Sequence, residues 1–256
     1  MSLDQALQFV PAYVLVLFRV AGMMIFAPVF GGTRIPRPVK LMLAMVLAAG
    51  MCGTVPGPVR LPDSAWELAL GIGGEMAFGI AMGLVLSFTF IAAQWAGEVI
   101  GQQMGLNLSE VFDPQFGAAG SLVGDLYFML TLVTFLIIGG HRDIIRCLQM
   151  SMQSLPLLSL GVNRDLLETL IGLFQGCTVL AMQLAAPMLV TMLVVDLALG
   201  CIGKAMPQMN ILTAGLSIRS MMGMGVVIVS LTATSNVLTE RLAKAMEFVL
   251  LRFSAS

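Results

Sequence analysis

The chain has 256 residues, of which 58% are hydrophobic and 11% charged, with a net charge of −1. A soluble domain usually carries about 25% charged residues, so too few polar side chains are present to cover a water-exposed surface. Lipid or a large partner surface must solvate much of the chain. A disordered chain is excluded, and no bulk charge draws it to nucleic acid.

A spanning helix needs about 20 mostly apolar residues. In chain order the candidates are 9–30, 39–55, 66–93, 126–138, 167–202 and 216–237. The first follows a short segment with no basic residue, so it reads as a retained membrane helix rather than a secretory signal. The second and fourth are short, and the fifth is long enough to be tilted or broken. The stretch 237–253 carries Glu240, Arg241, Lys244, Glu247 and Arg252 and is amphipathic. It is predicted to lie at an interface or on a partner.

Three connections carry information. Residues 31–40 combine Pro36 and Pro38 with Arg34, Arg37 and Lys40; 97–124 is Gly-rich and acidic, with Glu98, Glu110 and Asp113; 202–215 holds Lys204 and Pro207. There is no tandem repeat, low-complexity tract or sizeable soluble domain. The reading is an all-α, multi-helix integral membrane protein with helical hairpins and broken helices.

The positive-inside rule puts Arg34, Arg37 and Lys40 in the cytoplasm. Alternation over six helices then puts 97–124 inside as well, although it has no Lys or Arg, and puts Arg142, Arg146 and Arg164 outside. Either some candidates do not span, or protein rather than lipid covers part of the apolar surface.

Ala93, Gly97, Gly101 and Gly105 recur every fourth residue and are predicted to share one helix face, with Gly79 and Gly83 repeating the pattern earlier. Such small-residue ridges let helix backbones approach closely, either within this chain or against partner subunits. Gln94, Glu98 and Gln102 form a polar stripe beside the ridge. Arg19, Glu75 and Asp196 interrupt apolar runs, where each costs about 2.5–3.5 kcal/mol on insertion scales, so they must find partners or water. Mutual ion pairing fits them better than a proton relay, which needs several acids or histidines in series. Met24, Met42, Met104, Met206, Met209, Met221, Met222 and Met224 sit near breaks between apolar segments, as core filling or as a deformable seal.

Cys52, Cys147, Cys177 and Cys201 show no CxxC spacing and read as small buried hydrophobes. His141, the single histidine, offers no zinc set and reads as an interfacial group at a helix end. Nucleotide-binding, hydrolase and metalloprotease motifs are missing. Neither an enzyme, a cofactor nor a bound metal is expected.

In order along the chain come Arg19, Gly22, Pro28, Phe30, Pro36 and Lys40. Glu75, Gly79 and Gly83 follow, then Ala96-Gly97 with Gly101-Gln102-Gln103-Met104-Gly105 and Asp113-Pro114. Gly139-Gly140-His141, Ala186-Pro187 and Pro207-Gln208-Met209-Asn210 with Gly215 complete the series. Together they resemble the FliR/SctT family of type III secretion export-gate subunits. One departure is Ser217, where that family commonly has proline.

The resemblance implies a fusion of FliP-like (1–165) and FliQ-like (166–256) parts in a single export-gate domain. It implies a non-enzymatic channel subunit in the bacterial inner membrane, at the flagellar basal body, that passes unfolded secreted proteins. The partners it implies are FliP-like and FliQ-like subunits with FlhB-like and FlhA-like export proteins, much of the assembly being lifted out of the bilayer plane. It also implies that 103–121 plugs the closed pore. Met104, Leu106, Leu108, Val111, Phe112 and Phe116 supply apolar bulk there, and Asp113 and Pro114 a stiff turn. A virulence injectisome counterpart is the alternative, and a secondary transporter a more distant one.

Overall fold

A computed structural model describes residues 3–28, 30–31, 36–55, 64–106, 121–154, 157–158, 164–206 and 211–254. Among them seven helices occur and no strand: α1 (Leu3–Phe26), α2 (Arg37–Cys52), α3 (Ala65–Gln103), α4 (Leu122–Ile137), α5 (Gly140–Ser154), α6 (Arg164–Ala205) and α7 (Ile211–Ser254). The all-α expectation holds.

Of the six candidate segments, not all are long enough to span, one of the two explanations the charge pattern left open. Among the described residues three helical stretches are long and apolar enough to cross a membrane: Ala65–Gln103, Ile171–Ala205 and Ala214–Glu247. A fourth is possible if Leu122–Ile137 and Gly140–Gln153, which meet at a 67° bend, count as one broken span. Helix α2 has 16 residues and begins with Arg37 and Lys40. At 1.5 Å per residue it covers about 24 Å, short of a hydrocarbon core of about 30 Å.

The chain forms two compact units, residues 1–88, 135–173 and 242–256 in one and residues 89–134 and 174–241 in the other. In the first unit, α1 and α3 run side by side in the same direction. Their contact is made by glycines. A Cβ on Gly22 would strike the Met76 carbonyl and one on Gly79 the Arg19 carbonyl, while one on Gly83 would lie 2.6 Å from the Met23 carbonyl. Backbone therefore meets backbone, as small-residue ridges allow. The Ser87 hydroxyl closes the contact by donating to the Phe26 carbonyl. Helix α2 packs back on α1, and Pro36 and Pro38 at its start suit a first turn whose N–H groups have no helical partner.

Helix α5 runs the opposite way to α1 and α3. Ile144 and Cys147 share a small apolar gap with Met23, Met82, Leu86 and Met246, Ser151 meets Arg19, and Leu158 meets Glu75. Its buried residues Ile144, Cys147, Leu148, Ser151 and Met152 follow helical spacing. The amphipathic stretch 237–253 is the end of α7 rather than a separate element, and its Leu242 and Met246 are buried within this chain.

In the second unit, α6 and α7 form an antiparallel hairpin. Asp196 reaches Arg219, Leu199 lies beside Gly215, and Arg241 donates to Gln183 at 2.8 Å. Most of the hairpin is uncovered. The apolar window of α3 is 67% buried, against 28% for α6 and 22% for α7. Lipid or other subunits must cover this hairpin.

Candidate functional site: a glycine ridge, a buried ion pair and the root of the 103–121 segment

Close approach begins in the ridge of α3. Ala93 and Gly97 are buried, and a Cβ on Gly97 would lie 2.5 Å from the Val123 carbonyl and 2.7 Å from the Gly124 Cα of α4. Gly101 is buried as well. Gly105 is a correction: it lies past the end of α3 at φ +74°, so it does not continue the ridge. Its N–H bonds the Gln102 carbonyl at 3.0 Å, and the Leu106 N–H bonds the Gly101 carbonyl at 3.0 Å. That pair of bonds is a Schellman end, which requires the left-handed conformation glycine adopts freely. In the polar stripe, Gln94 and Glu98 are half-buried next to Gly124, and Gln102 is exposed.

The helix end anchors Met104. Its side chain is 1% exposed and packs against Gly223 of α7 together with Met188 of α6. Leu106 is partly exposed. The other expected plug residues, Leu108, Val111, Phe112, Asp113, Pro114 and Phe116, lie outside the described residues.

Arg19 and Glu75 are fully buried and paired, Nε to Oε2, at 2.6 Å. Arg19 Nη1 also donates to the Ser151 carbonyl at 3.1 Å, and its guanidinium stacks over Phe78 at 4.8 Å. Glu75 Oε1 accepts the Leu158 N–H at 2.9 Å, and Leu158 takes φ +70°. The pair thus ties α1, α3, α5 and the turn after α5 together. Arg19 Nη2 has no protein partner.

Asp196 was expected in the interior but is 42% exposed, bound to an equally exposed Arg219 at 2.6 Å. The reason is the open hairpin face, where Leu193, Val194 and Leu197 are also exposed. The sequence reading missed Arg219, although an arginine inside the run 216–237 carried the same signal as Asp196. It also missed α5, whose short amphipathic pattern was hidden by the search for long apolar runs.

The methionines divide. Met24 and Met104 are buried, whereas Met42, Met206, Met221, Met222 and Met224 are exposed, so they do not make one seal within the chain. Met209 lies outside the described residues. Cys147 and Cys177 are buried and Cys52 is half-buried, but Cys201 is exposed. His141 is exposed in the first turn of α5.

Long apolar helices, glycine-mediated packing and an uncovered hairpin with an embedded ion pair define an all-α membrane protein built to sit among other membrane helices. Residues 10–245 match the family described as bacterial export proteins, family 1, and the chain belongs to that family. It is 27% identical over 212 residues to the flagellar biosynthetic protein FliR of Bacillus subtilis, covering 82% of each chain. It is 29% identical to the FliR of Escherichia coli, over 83% of this chain and 81% of that one. The surface presentation of antigens protein SpaR of Shigella flexneri is 27% identical, over 84% of this chain and 82% of that one.

Proposed function

We propose that the chain is a non-enzymatic subunit of the flagellar type III secretion export gate and forms part of the channel that passes unfolded flagellar proteins across the inner membrane. The observation that carries this reading is the family match over 10–245 together with relatives named as flagellar biosynthetic proteins. The similarity to SpaR supports a second reading, the corresponding part of a virulence apparatus. Deleting the gene in its own host and collecting secreted protein separates the two. Loss of flagellar proteins from the medium and of motility supports the first, and loss of virulence effectors alone supports the second.

FliP-like and FliQ-like subunits are the partners proposed for the uncovered hairpin, with FlhB-like and FlhA-like proteins nearby. Residues 1–165 correspond to a FliP-like part and 166–256 to a FliQ-like part. The segment 103–121 closes the channel at rest through its apolar side chains, which exclude ions by dewetting. Support comes from the buried Met104, which fixes the start of the segment against α6 and α7. Shortening residues 111–116 in the assembled complex is expected to raise ion conductance while assembly persists. Unchanged conductance would sink the plug assignment.

A further inference from the structure

The first unit gathers positive charge at one end. Helix α1 finishes level with Gly83 and Ser87 of α3, and the basic turn follows, with Arg37 exposed and Lys40 Nζ donating to the Gly31 carbonyl at 3.1 Å. Helix α5 starts at the same level, since Ile144 and Cys147 share the gap lined by Met82 and Leu86. Its first two turns therefore bring His141, Arg142 and Arg146 to the end that holds Arg37 and Lys40. The Arg142 guanidinium folds over Gly139, which takes φ +80° at the bend. The acid on this part of α5 is Asp143, bound to Arg146 at 3.4 Å, where the Arg146 side chain is 70% exposed.

Large apolar side chains are exposed beside these charges. Ile137 is 80% exposed, Leu136 and Ile138 are also exposed, and Ile25 and Phe26 are exposed at the end of α1. Basic residues next to an uncovered apolar band are what a membrane–water boundary requires: hydrocarbon meets the apolar band and lipid phosphates meet the cations. Amphipathic α5, buried on one face and basic on the other, suits that position. Simple alternation had put Arg37 and Arg142 on opposite sides of the membrane. The parallel course of α1 and α3, with α5 antiparallel to both, puts them at one end of one unit.

We propose that this end of the first unit lies at a membrane–water boundary and binds the phosphate headgroups of anionic phospholipid through Arg37, Arg142 and Arg146. Lys40 and His141 add to the field, and the proposal rests only on membrane embedding, not on the export reading. The test uses the full-length chain extracted in mild detergent together with the membrane subunits it assembles with in its own host, titrated with phosphatidylglycerol, phosphatidylcholine or inorganic phosphate, with bound species counted by native mass spectrometry. Wild type is expected to retain phosphatidylglycerol selectively. Each arginine changed to glutamine should weaken that retention about fivefold, so Arg37→Gln/Arg142→Gln/Arg146→Gln loses the preference over phosphatidylcholine. The corresponding triple lysine variant should keep it, which separates lost charge from lost folding. Undiminished selectivity in the triple glutamine variant would overturn the proposal. So would displacement of the lipid by an equal concentration of inorganic phosphate, which would mean a free-anion site. Co-purification of the triple glutamine variant with the other export subunits reports on the export reading separately.

Discussion

Arg19 and Glu75 hold no exposed surface, so each is stable in the interior only because the other is present. Removing one partner of a buried pair typically costs about 3–5 kcal/mol, because the remaining charge stays buried. Glu75→Ala is therefore expected to lower sharply the thermal stability of the purified complex that contains this chain. Arg19→Met/Glu75→Leu should cost less than Glu75→Ala alone, and the reverse order would show that the charges themselves are not the issue. The glycines give a second comparison. A Cβ on Gly97 meets the backbone of α4, whereas one on Gly223 meets the movable side chains of Met104 and Met188. Gly97→Ala should cost about 1–3 kcal/mol, as overpacking does. Gly223→Ala should cost less and be relieved by Met104→Ala. Equal destabilisation by both, measured by thermal unfolding of the assembled complex in detergent, would contradict the packing described. The sequence exposed Arg19 and Glu75 because charges in apolar runs demand partners. It could not expose Ser151 or Leu158, since their bonds depend on α5 and on a turn conformation that no local pattern encodes.

At the scale of elements, how α3 ends matters most. Gly105 takes φ +74° and completes the Schellman end that places Met104 in the interior. A residue with a Cβ pays about 1–2 kcal/mol in this conformation, and asparagine less than most. Gly105→Ala is expected to destabilise by that amount and Gly105→Asn by less. A neutral Gly105→Ala would mean that the helix ends elsewhere. Fourfold spacing alone put Gly105 on the ridge, because a repeat of small residues does not reveal where the helix stops. Long apolar runs, by contrast, were easily seen, and α3, α6 and α7 follow them. Helix α5 was hidden for the opposite reason: its apolar residues cover one face of a 15-residue helix and never form a run. Pro187 remains inside α6, where Thr191 Oγ1 donates to its carbonyl at 2.8 Å. Such a proline removes a helical N–H, yet α6 continues through it from Arg164 to Ala205, so of the two expectations for this long segment, tilted or broken, a break is not what occurs.

For the molecule as a whole, incompleteness is the main feature. The long α6–α7 hairpin carries exposed Leu193, Val194, Leu197, Ile228 and Val229 around the Asp196–Arg219 pair. Lipid alone is a poor cover for an ion pair, while neighbouring subunits with polar groups of their own satisfy both parts of that surface. The chain is therefore expected to reach its stable form in a hetero-oligomer. The most direct measurement is co-expression of the tagged full-length chain with and without the FliP-like and FliQ-like subunits proposed as its partners, followed by sizing of the material extracted in mild detergent. The account predicts one monodisperse complex containing all three proteins, and aggregated or degraded chain when the partners are left out. A folded, monodisperse chain obtained alone, with no partner retained when all are present, would contradict it.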